Sequence, residues 1–380
     1  MKNNFDINTI IQSGNEFITG IYKQLSLLGL MVDDFKPDHL CFRVASTDDY
    51  SYYKNELLAH ATLLSEAKIN GRPISTFLLK NEFSYKNKMI KILELPAPKP
   101  GSPYKTGFEH VEFVISDSFT VFQSKYPHLS LTRSGPKNFN AELVLKTPVG
   151  QVKFHHVSLD RVIEIEDSKI EDIIFDFDGT LIESREKIHE INRKVFSKAL
   201  NRDVTLDEAK EKFHSTFEKL FETFKITEPN LKKQTISDWE SESKKVDYYL
   251  LSGIYPLLLN LKELGYRLHL WTARDEESAR FTLDQHQLTT FFKTFSFSTV
   301  TSSKPSAKNL TFDWQNAPSG SVALVGDTAN DVVAAKNINA IAVGAAWELE
   351  DHEQALRKAR VEVCFSNPAD FQKWLSDRYT

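Results

Sequence analysis

Apolar positions along this chain of 380 residues keep two different rhythms. In the second half, short apolar runs stop abruptly at polar side chains: Ile173-Ile174-Phe175 before Asp176, Leu268-His269-Leu270-Trp271 before Thr272, and Val322-Ala323-Leu324-Val325-Gly326 before Asp327. Runs of this length, followed by helical patterns, predict interior strands of a parallel sheet, whose carboxyl ends face the crevice where ligands bind. Between Thr180 and Leu268 the rhythm becomes helical, with Ile188, Ile191, Val195 and Phe196, then Phe213, Phe217, Leu220, Phe221 and Phe224. This predicts a helical insertion at about residues 186–250, with the Phe stripe as its core rather than a substrate pocket.

The first half carries an internal echo. Asp38-His39-Leu40-Cys41-Phe42-Arg43-Val44 is matched by Glu109-His110-Val111-Glu112-Phe113-Val114-Ile115, and each run is followed later by a second strand, at 89–95 and at 151–157. Pro148-Val149-Gly150 marks a turn before the last of these, and the Pro-rich stretch at 96–103 reads as a stiff crossover between two similar units. The expected fold class is therefore a multidomain α/β chain: an α+β duplicated domain over 1–166 and a Rossmann-like parallel-sheet domain over 170–380.

Composition changes this picture little. With 41% hydrophobic residues there is material for two cores, and a net charge of −5 disfavours a general nucleic-acid binder. No apolar run approaches membrane-spanning length, and Met1-Lys2-Asn3-Asn4-Phe5-Asp6 does not read as a secretory signal. Two distant cysteines, Cys41 and Cys364, form no disulfide scaffold, so a cytoplasmic location is expected.

The candidate chemistry starts at Asp176 and Asp178. In an extended strand i and i+2 point the same way, so two carboxylates project together and require a compensating cation. Asp176-Phe177-Asp178-Gly179-Thr180, Thr272-Ala273-Arg274-Asp275, Ser303-Lys304-Pro305 and Gly326-Asp327-Thr328-Ala329-Asn330-Asp331, in that order, resemble the motifs of the haloacid dehalogenase superfamily. The helical insertion resembles the cap of its phosphoglycolate-phosphatase-like branch.

The resemblance implies that Asp176 is a nucleophile forming an aspartyl-phosphate and that Asp178 is the general acid and base. Thr272 and Lys304 would hold the phosphoryl group. Asp176, the backbone carbonyl of Asp178, Asp327 and Asp331 would surround Mg2+. A second Asp, at 178, favours ester hydrolysis or phosphoryl transfer over dehalogenation, and the implied substrate is a small phosphorylated metabolite. Arg274 stands where many relatives have Asn nearby; it binds a substrate anion or is an exposed helix-start residue paired with Asp275, and both readings stay open.

Asp38-His39, Asn70-Gly71-Arg72-Pro73-Ile74, Leu93-Glu94-Leu95-Pro96, Gly107-Phe108-Glu109-His110 and Lys153-Phe154-His155 resemble the YecM family, part of the vicinal oxygen chelate group of paired βαβββ modules related to glyoxalases. That resemblance implies a second metal set, His39, Glu94, His110 and His155, suited to Zn2+, Fe2+, Ni2+ or Mn2+, with His156 in reserve if the register slips by one. The plain alternative is a set of ordinary hydrogen-bonded or exposed strand residues; Arg43 and Glu112 either line the same cavity or, on strand propensity alone, face solvent. Two other functional readings remain: a metal-dependent isomerase or dioxygenase in the first domain with an auxiliary second half, and a ligand-binding protein without catalysis.

Overall fold

The computed structural model describes residues 5–31, 35–69, 71–99, 101, 104–135, 141–213, 217–297, 320–347 and 350–378. Lys304 lies outside the described residues, as do Asn70, Ser303 and Pro305. The chain falls into two units, Met1–Asp167 and Ser168–Thr380.

Helix α1 (Ile7–Leu27) opens the first unit; the Asp6 carboxylate caps it by accepting from the N–H groups of Asn8 and Thr9. Its buried stripe Ile7, Ile10, Gly14, Ile18, Ile21, Leu25 follows the helical period and faces a sheet. A side chain at Gly14 would overlap the Phe83 ring, so the absence of a Cβ there allows the helix to approach the sheet closely. One module comprises β1 (Lys36–Arg43), α2 (Thr47–Leu57), β2 (Ala61–Ile69), β3 (Arg72–Tyr85) and β4 (Lys88–Pro96). The other comprises β5 (Gly107–Val114), α3 (Phe119–Lys125), β6 (Thr132–Ser134), β7 (Glu142–Lys146) and β8 (Gln151–His155), and α4 (Leu159–Asp167) follows.

The eight strands form one sheet in the order β2-β3-β4-β1-β5-β8-β7-β6, which reads symmetrically outward from the antiparallel β1–β5 seam. Within each module the first and last strands run parallel. Alternation then sorts the side chains. Leu40, Phe42, Leu93, Val111, Phe113, Val152 and Phe154 join the apolar core beneath the helices. His39, Cys41, Glu94, His110, Glu112, Lys153 and His155, at the intervening positions, occupy the other face.

The second unit is built on a parallel sheet of six described strands, β13-β12-β9-β14-β15-β16. These are β9 (Asp172–Phe175), β12 (Arg267–Trp271), β13 (Thr294–Ser296), β14 (Val322–Gly326), β15 (Ile341–Ala345) and β16 (Val363–Phe365), and all adjacent pairs run parallel. Helices α9 (Ile254–Glu263), α10 (Glu276–Gln285), α11 (Ala329–Asn337), α12 (Glu350–Lys358) and α13 (Pro368–Ser376) alternate with the strands. Every residue of β9 is buried, as a central parallel strand requires. Helix α11 starts at Ala329, where Thr328 and Asp331 close a reciprocal capping box.

The helical insertion leaves and returns through a two-stranded antiparallel ribbon, β10 (Ile182–Glu183) and β11 (Tyr249–Leu250). Between them lie α5 (Arg185–Leu200), α6 (Leu206–Glu211), α7 (Phe217–Thr223) and α8 (Pro229–Ser243). Phe196, Val204, Leu220, Phe221, Phe224 and Ile226 form its own small core. Phe213 departs from the expected stripe: it is exposed, with its ring edge-on to His189, because α6 ends before reaching it.

Candidate functional site

The strand order β12-β9-β14 brings together three residues far apart in sequence, since Thr272, Asp176 and Asp327 each follow the carboxyl end of one of those strands. The Asp176 N–H donates to the Val325 carbonyl at 2.8 Å, which fixes the strand end where its carboxylate begins. Asp176, Asp327 and Asp331 are all buried, and each presents one carboxylate oxygen within 4.8 Å of the others. Asp331 reaches this cluster from the first turn of α11 while its Oδ2 accepts from the Thr328 N–H at 3.0 Å and hydroxyl at 2.6 Å.

Two glycines permit this crowding. Gly179 has φ +74°, and a Cβ there would overlap the Asp327 carboxylate; one at Gly326 would overlap that of Asp331. Such a concentration of negative charge attracts cations. Arg185, the first residue of α5, donates to Asp327 Oδ2 at 2.8 Å and also meets His352.

Asp178 turns to a different partner. Arg274 donates to both its oxygens, through Nε at 3.1 Å and through a terminal nitrogen. Arg274 is therefore neither exposed nor paired with Asp275, whose carboxylate instead caps α10 by accepting from the Ser278 N–H at 2.9 Å. Burial works against the Arg274 charge, but Asp178 and Tyr248 outweigh it and raise the guanidinium pKa. Thr272 is also buried, and its hydroxyl oxygen accepts from the Arg274 N–H at 3.0 Å.

In the first unit the polar face of the sheet gathers a second cluster. His39, Glu94 and His110 bring ligand atoms within 4.8 Å of one another, and so do Asp38, His39 and His155. His39 belongs to both groups. Its Nδ1 lies 2.9 Å from Asp38, and its Nε2 lies 3.5 Å from Glu112. Glu112 is buried at the centre, 3.1 Å from His110 Nε2, 3.6 Å from His155 Nδ1 and 3.0 Å from Lys153 Nζ.

Burial disfavours a charged His39, yet Glu112 and Asp38 push its pKa up to about 10. Burial likewise disfavours a charged Glu112, but His39 and Lys153 hold its pKa well below the usual carboxylate range. Of the two readings for Glu112 the solvent-facing one is excluded: His39, His110, Glu112 and His155 are all buried, and alternation alone cannot tell a covered polar face from a wet one. Arg43 is half-buried, 3.3 Å from Glu109 and over the Tyr104 ring. His156 points elsewhere; its Nε2 meets the Asp117 carbonyl and its ring stacks on Phe119.

Lys153 and Glu112 were not among the candidate ligands, although the duplicated pattern contains the signal for both. Glu94 pairs in register with Cys41, two residues after His39; Lys153 pairs with Glu112, two residues after His110. Lys153 thus occupies in the second module the place that Glu94 holds in the first.

Two sequence matches agree with these architectures. Residues 6–166 match the family described as YecM protein, and residues 173–345 match the haloacid dehalogenase-like hydrolase family. The chain therefore joins a YecM domain to a haloacid dehalogenase-like hydrolase domain.

Protein YecM of Escherichia coli is 26% identical over 168 residues, which is 40% of this chain and 89% of that protein. An uncharacterized Haemophilus influenzae protein is 33% identical over 81 residues, and the match spans 21% of this chain and 42% of that protein. Among solved structures, a predicted phosphatase from Clostridium acetobutylicum is 19% identical, with a TM-score of 0.48, over 55% of this chain and 100% of its own. CbbY from Rhodobacter sphaeroides, in complex with phosphate, is 19% identical, with a TM-score of 0.40, over 46% of this chain and 86% of its own.

Proposed function

We propose that the hydrolase domain, residues 170–380, is a Mg2+-dependent phosphomonoesterase that acts on a small phosphorylated metabolite through an aspartyl-phosphate. The observation that carries this reading is the convergence of the buried carboxylates of Asp176, Asp327 and Asp331 beside the strand that ends in Thr272. Hard carboxylate oxygens in this number fit Mg2+ at a phosphate site, and these three residues with the Asp178 carbonyl would hold it. Bound there, Mg2+ supplies positive charge that offsets the negative charge of the phosphoryl group and of Asp176.

Asp176 attacks phosphorus while the ester P–O bond breaks, and Asp178 delivers a proton to the departing alkoxide. Water then attacks the aspartyl-phosphate, Asp178 takes its proton, and inorganic phosphate leaves as the Asp176 carboxylate is restored. The Thr272 hydroxyl donates to a phosphoryl oxygen, and Lys304, outside the described residues, adds the charge that the family pattern assigns to it. Helices α5–α8 act as a cap that shields the reaction from water and selects the alcohol.

The test is hydrolysis of p-nitrophenyl phosphate with and without Mg2+, repeated on Asp176→Asn. Turnover should require the metal and vanish in the variant; activity that survives Asp176→Asn overturns the reading. Both cysteines are free and buried, which fits a reducing cytoplasm as the location. No described helix is long and apolar enough to cross a membrane.

A specific observation favours a metal in the YecM domain as well. The ring nitrogens of His155 and His110 Nε2 are buried and face carboxylates, His155 Nε2 at 3.4 Å from Asp38 and His110 Nε2 at 3.1 Å from Glu112, beside the His39, Glu94 and His110 group whose ligand atoms lie within 4.8 Å of one another. Imidazoles with one carboxylate suit Zn2+, Fe2+, Ni2+ or Mn2+. Metal analysis of the full chain should show this ion lost from His39→Ala with His110→Ala; unchanged content excludes the site. An isomerase or dioxygenase activity would need such an ion.

A further inference from the structure

We propose that Arg274 is the positioning residue of the hydrolase site, orienting the Asp178 carboxylate that exchanges a proton with the leaving alcohol; the inference rests on the phosphomonoesterase reading above. A guanidinium removed from water costs several kcal/mol unless it is paired, so a buried Arg at this point in the fold is not explained by packing. The Arg274 side chain is only 1% exposed, and its partner is the carboxylate next to the nucleophile.

The pair is two-pronged. Nε donates to Asp178 Oδ2 at 3.1 Å, and a terminal nitrogen donates to Oδ1. Two parallel donors from a rigid fork fix the plane of the carboxylate as well as its distance, which a single ammonium cannot do. Aromatic rings in turn hold the fork: its central carbon lies 4.3 Å from the Tyr248 ring centroid and 5.5 Å from that of Phe177. The Tyr248 hydroxyl is 2.9 Å from the Ser243 hydroxyl, at the end of α8, so the clamp is tied to the segment where the helical insertion returns to the sheet.

The same residue also conditions Thr272. Because the Thr272 oxygen accepts from the Arg274 N–H at 3.0 Å, the hydroxyl proton is left to point away from that bond, where it can donate to a phosphoryl oxygen. One residue thus sets the acid–base group through its side chain and the phosphate donor through its backbone.

Leaving groups separate this role from a merely structural one. p-Nitrophenolate departs without a proton, whereas the alkoxide from β-glycerophosphate needs one. Full-length Arg274→Ala should lose about 100-fold in kcat on β-glycerophosphate but less than about tenfold on p-nitrophenyl phosphate, with KM for both little changed. Added guanidinium should restore part of the β-glycerophosphate rate. If Arg274→Ala fails to fold, Arg274→Lys, which keeps the charge but not the fork, should show the same selective loss. Equal losses on the two substrates, or no loss on either, overturn the proposal. Asp176→Asn run alongside keeps the outcomes apart, since turnover surviving that change removes the phosphatase reading itself.

Discussion

The Asp327 carboxylate fills the space that a side chain at Gly179 would need. The glycine sits just past the two motif carboxylates with φ +74°, a conformation costly for any other residue, so the close approach and the backbone shape both demand it. Gly179→Ala should destabilise the hydrolase domain by about 2 kcal/mol and displace Asp327 from the carboxylate cluster. Denaturant titration and p-nitrophenyl phosphate turnover measure the two effects, and a variant with wild-type values for both would contradict the geometry.

Chelation offers a direct check of the carboxylate cluster. EDTA should bring phosphatase turnover to background, and Mg2+ should restore it. Asp327→Asn should raise the Mg2+ concentration needed for half-maximal rate by about tenfold or more. A variant with an unchanged Mg2+ requirement would exclude Asp327 as a ligand.

At the amino end of the parallel sheet, far from the site, Asp172 accepts from Arg267 at 2.7 and 2.6 Å and lies 2.9 Å from His269. Burial opposes its charge, but the His269 and Arg267 hydrogen bonds outweigh burial and lower its pKa from 3.8 to about 2. The folded-state value lies below the unfolded one, so this contribution is complete above about pH 4 and is lost as pH falls through about 2. Allowing for screening on the exposed Arg267 side, it amounts to about 1 kcal/mol. Asp172→Asn should lower stability at pH 7 by that amount and flatten the acid limb of a melting-temperature profile; an acid limb unchanged from wild type would contradict the linkage.

Glu112 is a second test of electrostatics, in the other domain. Its carboxylate lies within 3.6 Å of nitrogens on His39, His110, His155 and Lys153. Removing its charge takes the carboxylate away from the buried His39 and leaves Lys153 with Glu142 alone, 3.1 Å away, so Glu112→Gln should cost about 2 kcal/mol in the unfolding of the YecM domain. Adding Lys153→Met should recover part of the loss; a double variant no better than the single would show that the two charges are not coupled.

The strand ends of the candidate site are legible in the sequence because they depend on short-range rules. Apolar runs that end at Asp176, Thr272 and Asp327 define central parallel strands, and such strands present their carboxyl ends to one crevice. Arg274 stayed open between two readings for the opposite reason. Its local setting, before Asp275 and a helical pattern, resembles any solvated helix start, while its carboxylate partner Asp178 lies 96 residues away in sequence. In the first domain the echoed His39 and His110 were legible as equivalent positions, but the place of Glu112 depended on whether the polar face of the sheet is covered. Period-two alternation does not encode that.

The replacement of Glu94 by Lys153 between the two halves of the YecM domain has an electrostatic consequence. Strict repetition would put the same charge on both sides of the β1–β5 seam. Here one side carries an acid and the other an ammonium held by Glu112 and Glu142 at 3.0 and 3.1 Å, so the pseudo-symmetry of the strands is not shared by their charges.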